Sequence, residues 1–181
     1  MAMQKVRRTL ADYEALPERT KADFIEGELV MAPAPTPWHE RLLMRLIREL
    51  AEVLGSDWDA RVFVSRFEIR AGSGDEEEAA QPDVVVLPEG TRVTSEPWKA
   101  PAPVLVAEVL SPSTARHDRG AKLRFFGRAG VREAWLVDPK TRTIEVHDLA
   151  AGGKRLFAEG EVAESRAVAG FRVDVAAFFA V

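Results

Sequence analysis

Apolar residues along this chain follow three patterns, and each predicts a different element. Helical spacing is clearest in "PAPTPWHERLLMRLIRELAEVLG" (33–55). There Leu42, Leu43, Leu46, Ile47, Leu50, Val53 and Leu54 fall three or four residues apart, with Pro37 near the start and Gly55 just past the end. "TLADYEALPE" (9–18) predicts a short helix capped by Thr9 and ended near Pro17, and "DRGAKLRFFGRAG" (118–130) a helix ending at Gly130. Strict alternation in "RVFVSRFEIR" (61–70) predicts a strand with one face on the core. "DVVVL" (83–87) and "VLVAEVL" (104–110) are continuous apolar runs, as expected of strands covered on both faces.

Further strands are expected in "FIEGELVMAP" (24–33), a strand or hairpin bent at Gly27, and in "EAWLVD" (133–138). The second of these turns through "PKTR" (139–142) into "TIEVHDL" (143–149). "AGSGDEEEAA" (71–80) reads as a flexible acidic loop and 88–103 as a Pro-rich loop. The tail "FRVDVAAFFAV" (171–181) should pack on the core as a strand or short helix. The element order implies an α/β (α+β) fold over 1–181, a single domain. Its central mixed β-sheet is flanked by helices, with extra β strands before and after.

Two acids break the dry runs. Period two sets Glu108 in one row with Val104, Val106 and Leu110, and Asp83 in one row with Val85 and Leu87. A lone carboxylate in such a row loses hydration at a cost of several kcal/mol, so it should be protonated, paired or metal-bound. If the two strands are antiparallel neighbours, the start of one lies beside the end of the other and the carboxylates converge. Two converging carboxylates suit a hard divalent cation such as Mg²⁺, which fills its remaining positions with water and phosphate oxygens. Such an ion can polarise a phosphodiester and activate water. A lysine nearby would position that water or neutralise developing charge. Lys122, on the helix after the Glu108 strand, is the candidate. "SPST" (111–114) lies at the start of that helix, where backbone N–H groups can hold a phosphate.

Composition narrows the setting. There is no cysteine, which removes disulfides and thiolate metal sites and fits a reducing cytoplasm. The basic N-terminus lacks the apolar segment of a secretory signal, and no apolar run approaches the ~20 residues that span a membrane. A net charge of −4 argues against a generic nucleic-acid coat but leaves room for a local basic groove.

"QPDVVV", "LVAEVLSPST" and "DRGAKLRFFGRAGVREAWLVDP" together closely resemble the Uma-type putative restriction endonucleases of the PD-(D/E)xK nuclease superfamily. The resemblance runs from "FIEGELVMAPAP" to "IEVHDL" and implies a restriction-endonuclease-like core, dependence on Mg²⁺ or Mn²⁺, and cleavage of DNA. Asp83 matches the acid after the motif's proline and Glu108 its second acid, so both would be metal ligands, with a backbone carbonyl such as that of Val109. Leu110 stands where the superfamily commonly has lysine, which transfers that role to Lys122. The family usually has a histidine at the position of His39 and an acid at Glu28, so both join the candidate catalytic residues. A homodimer would supply the two active sites that cutting a duplex often needs. A nuclease-derived domain that binds nucleic acid or a partner protein without cutting is the alternative. His117 and His147 lack partners at zinc spacing. Asp138 reads as a turn residue, and the arginines at 116, 119, 124 and 128 as a solvated helix face.

Overall fold

A computed structural model describes residues 8–18, 20–64 and 67–180; the opening segment judged free of a secretory signal lies largely outside them. Thr9 starts α1 (Leu10–Glu14) through reciprocal bonds. Its hydroxyl accepts from the Asp12 amide while the Asp12 carboxylate accepts from the Thr9 amide. The hairpin β1 (Ala22–Ile25) and β2 (Glu28–Met31) closes on Glu26 and Gly27, both at positive φ, as a tight two-residue turn requires. Next comes α2 (Pro37–Leu54), capped by Thr36 and stopped at Gly55, whose φ of 59° suits glycine. Its Leu42, Leu43, Leu46 and Leu50 are buried, as the helical spacing predicts.

The alternating segment 61–70 is not one strand. After the single turn α3 (Trp58–Arg61) it divides into β3 (Val62–Val64) and β4 (Ile69–Ala71), which belong to different sheets; residues 65 and 66 are outside the described ones. Alternation reports one buried face and not which sheet buries it. The expected acidic loop 71–80 also ends in structure. Glu78–Ala80 form β5, and Glu77 and Glu78 pair with Arg70 and Arg128.

The two apolar runs are β6 (Val84–Val86) and β7 (Leu105–Val109), buried at every position. Full burial of each Val or Leu contributes about 1.5–3 kcal/mol. The chain then coils through α4 (Ala115–His117), a π turn (Asp118–Lys122) and α5 (Leu123–Arg128). Next come β8 (Glu133–Asp138), β9 (Thr143–Asp148) and two strands the apolar pattern did not reveal, β10 (Lys154–Phe157) and β11 (Val162–Glu164). The tail is both strand and helix, β12 (Arg172–Asp174) followed by α6 (Val175–Phe179).

The central sheet has the order β10-β9-β8-β7-β6-β3, and within it only β7 and β8 run parallel. It is the mixed sheet flanked by helices that the element order implies. One face packs Val84, Val86, Ala107 and Trp135 against α2 and α6. The other packs Val85, Val106 and Ala134 against Phe125 and Phe126 of α5. A smaller sheet, β2-β1-β5-β4, meets this second face through Ile25 and Ile69. The candidate acids lie where the small sheet, the π turn and the end of β7 meet.

Candidate functional site

Strands β6 and β7 are antiparallel, with Val84 opposite Ala107. One step further along that register, Asp83 stands opposite Glu108. The two acids thus arrive at one end of a strand pair, on the α5 face, with Val85 and Val106 in their rows. Each is only 4% exposed. Both line a cleft of about 950 Å³, together with Lys21, Asp23, His39 and Lys122.

Asp83 is heavily partnered. Its Oδ2 accepts from the Val109 amide at 2.8 Å and lies 3.2 Å from His39 Nε2, while Oδ1 is paired with Lys21. Burial opposes its ionisation, but His39 and Lys21 outweigh burial and hold the carboxyl well below its usual range. His39 is aimed by α2: its amide donates to the Thr36 cap, which fixes the first turn beside the cleft.

Lys122 points inward. It is 3% exposed, and its Nζ lies 2.8 Å from Glu108 Oε1 and 3.1 Å from Asp23 Oδ2. A π turn takes more residues per revolution than an α-helix and so re-aims the side chains it carries. Here both ends of the turn, Asp118 and Lys122, are buried. Asp118 does not draw the ammonium outward; it is held by the Thr114 hydroxyl at 2.8 Å. Burial lowers the Lys122 pKa, yet Asp23 and Glu108 overcome it and leave the ammonium firmly protonated.

Glu108 is the least satisfied member. Its Oε1 is within ion-pair distance of Lys122, but no hydrogen bond of acceptable angle reaches that atom among the described residues. Burial pushes its pKa up to about 8, Lys122 acting against that rise and Asp83 adding to it. Asp118 is raised for the same first reason, burial. Four buried carboxylates, Asp23, Asp83, Glu108 and Asp118, thus face two ammonium groups, Lys21 and Lys122. Two imidazoles share the site, His39 on Asp83 and His117 on Asp23, and the other two acids, Glu108 and Asp118, are pushed toward their protonated forms by burial.

This cluster of buried acids tests the fit of a divalent cation. Among the described residues no group of three or more His, Cys, Asp or Glu side chains is disposed to hold a metal ion. Mg²⁺ needs fewer, since one or two carboxylates suffice when water and substrate oxygens complete the shell. Two buried carboxylates on adjacent strands, one of them pushed toward its protonated form by burial and by the neighbouring Asp83, fit such an ion at Asp83 and Glu108.

Other candidates fall elsewhere. Glu28 opens β2 as an exposed residue and does not line the cleft, whereas Asp23 on the paired strand does. Glu28 lies at the turn end of the hairpin, whereas Lys21, Asp23, Val30 and Ala32 line the cleft from its open end. Asp138 is a turn residue, accepting from the amides of Lys140 and Thr141. Arg119, Arg124 and Arg128 spend their guanidinium groups on Asp138, Glu26 and Glu78.

Lys21 and Asp23 were missed from the sequence because the strand was drawn from Phe24. The signal was present. Asp23 lies between Ala22 and Phe24, an acid inside a strand like Glu108, and Lys21, Asp23 and Ile25 share one period-two row.

Comparison with known proteins agrees with this architecture. The family profile described as "Uma2: Putative restriction endonuclease" matches residues 10–176. An uncharacterized protein of Synechocystis, sll1609, is 32% identical over 162 residues, covering 86% of this chain and 90% of that protein. The crystal structure of a putative nuclease belonging to DUF820 from Anabaena variabilis superposes with a TM-score of 0.74. It covers 94% of this chain and 97% of that one at 20% identity, which speaks to the fold alone. Among the described residues no helix is long and apolar enough to cross a membrane.

Proposed function

This chain belongs to the Uma2 family, and we propose that it is a metal-dependent endonuclease hydrolysing phosphodiester bonds in DNA. The observation that carries the reading is the convergence of two buried carboxylates, Asp83 and Glu108, at one end of an antiparallel strand pair, in a cleft also reached by a buried lysine. Asp83 and Glu108 would hold Mg²⁺ or Mn²⁺, with the Val109 carbonyl as a main-chain ligand. The ion, when bound, would polarise the phosphodiester and acidify the attacking water.

The chain's own groups do the rest. Asp83 stays ionised at all working pH values and so presents a ready ligand. Lys122 keeps its proton, which makes it a donor and a charge stabiliser, never a base. It would orient water or balance the charge that develops on the phosphate. His39, beside Asp83 at the cleft wall, would contact phosphate or steady Asp83. The cleft supplies the concave surface, and a divalent ion held among its acids would supply the positive charge that a DNA backbone meets there.

One observation favours the alternative of a non-cutting binding domain: each candidate ligand already has an ammonium partner, Lys21 on Asp83 and Lys122 on Glu108. Nicking of supercoiled plasmid with Mg²⁺ or Mn²⁺, by wild type and by Glu108→Gln, separates the readings. Endonuclease function requires ion-dependent nicking that the variant lacks. Wild-type protein that neither nicks DNA nor melts higher with either ion favours the binding domain.

A further inference from the structure

We infer that Asp23 is the positioning residue that holds Lys122 in the cleft, an inference that rests on the endonuclease reading above. Its carboxylate is built for that task. Oδ1 accepts from the Gln81 amide at 3.0 Å, and Oδ2 lies 3.1 Å from both Lys122 Nζ and His117 Nε2. The Gln81 side chain in turn donates to the Tyr13 hydroxyl at 3.0 Å, and that hydroxyl donates to Glu68 at 2.8 Å. Asp23 is therefore tied to the main chain after β5 and to a histidine on α4 before it touches the lysine.

Lys122 needs such a partner more than its contact with Glu108 alone would suggest. A divalent ion on Glu108 would compete with the lysine for the same carboxylate. An ammonium 3% exposed, left without a counter-charge, costs several kcal/mol. Of the remaining acids near it, Asp118 is engaged by Thr114 and pushed toward its neutral form by burial. Asp23 stays ionised, Lys122 and His117 outweighing its burial. It lets Glu108 exchange one cation for another while the lysine remains in place. Lys122 Nζ stands between Asp23 and Glu108, paired with each, so Asp23 acts through the lysine.

The test combines cleavage kinetics with calorimetric titration of Mg²⁺ or Mn²⁺. Asp23→Asn should lower kcat by about 30-fold or more, with KM for plasmid and the divalent-ion Kd within about threefold of wild type. Asp23→Glu should recover part of that loss. A Kd raised in step with the loss of kcat would overturn the positioning role. If Asp23→Asn does not melt cooperatively, His117→Ala carries the test. It removes the outer prop with both charges intact and should lower kcat about three- to tenfold at constant KM; unchanged kcat overturns the inference. Wild type that cleaves nothing overturns the endonuclease reading itself, and this inference with it. Wild type that cleaves while Asp23→Asn cleaves equally well removes only Asp23.

Discussion

Glu108 on the central strand β7 and Lys122 at the end of the π turn stand 2.8 Å apart at Oε1 and Nζ, both almost fully buried. The pair is not an isolated salt bridge, because Asp23 also holds the lysine while Asp83 faces the glutamate. That sharing makes the two members unequal. Lys122 has a second partner if Glu108 is removed. Removal of Lys122 strips both Asp23 and Glu108.

The first prediction is a pH dependence. Burial pushes the Glu108 pKa up to about 8 from its ordinary value of 4.5. Between those values the folded state binds the proton more tightly than the unfolded state. This group's contribution is thus fully present below pH 4.5 and is lost as pH rises through about 8. Glu108→Gln mimics the protonated form and lacks that dependence. Urea midpoints of ion-free protein, followed from about pH 5 to about pH 9, should show the variant gaining on wild type as pH rises. Saturating Mg²⁺ should close the gap by supplying the missing charge. Parallel curves for the two proteins would mean that Glu108 is not titrating in this window. Asp23 and Asp83 act in a separate window with the opposite sign: their lowered pKa values give stability that is lost as pH falls below 3.8.

The second prediction concerns Lys122→Ala. It should abolish nicking and cost about 3 kcal/mol or more of stability, because it leaves buried acids without their ammonium. Divalent binding should persist or tighten, since a competitor for Glu108 is gone. Calorimetry with Mg²⁺ checks this; a large loss of ion affinity would show that the lysine supports the ligands themselves. Glu108→Gln should be much milder, within about 1–2 kcal/mol, because Asp23 still pairs the lysine.

The legible parts of the site were those where a polar residue interrupts a continuous apolar run. Glu108 among valines announces an unusual environment on its own, and the antiparallel register of β6 and β7 brings Asp83 to it. The helix of α2 and the hairpin at Glu26–Gly27 were equally clear, from spacing and from turn chemistry. What sequence could not supply was membership in a sheet. Residues 61–70 read as one strand yet serve two sheets, and the short strands β10 and β11 expose Leu156 and Val162, so no apolar run marks them. Asp23 carries the same local mark as Glu108, an acid between apolar strand residues, but which partners it and Lys21 meet depends on the small sheet lying over the large one, a long-range contact.

A third prediction separates the exposed acid from the buried ones. Glu28 lies on β2 outside the cleft, across from Ile25. Glu28→Ala should leave nicking within about twofold and stability within about 0.5 kcal/mol, as for most surface substitutions. Loss of activity at unchanged melting temperature would return Glu28 to the catalytic set and require substrate to reach across the hairpin.

The last prediction uses Asp138, which lines the cleft but has a complete structural job. Its Oδ1 accepts from the Lys140 amide at 2.9 Å and the Thr141 amide at 3.3 Å, and Oδ2 accepts from Arg119 at 2.7 Å. Those bonds close the turn from β8 to β9 and lower its pKa despite partial burial. Asp138→Ala orphans both turn amides and should cost about 1–2 kcal/mol, whereas Asp138→Asn keeps an oxygen for them and should cost about half as much. Glu145 retains Arg119 in either variant through its bond at 2.7 Å. Neither substitution should change the divalent-ion Kd or the kcat for nicking, because Asp138 is committed to the turn and to Arg119 while the candidate ligands are Glu108 on β7 and Asp83 at the start of β6. Melting curves and Mg²⁺ titrations of both variants decide the matter. A weakened Kd in Asp138→Ala that Asp138→Asn shares would make Asp138 a ligand and move the ion toward the turn.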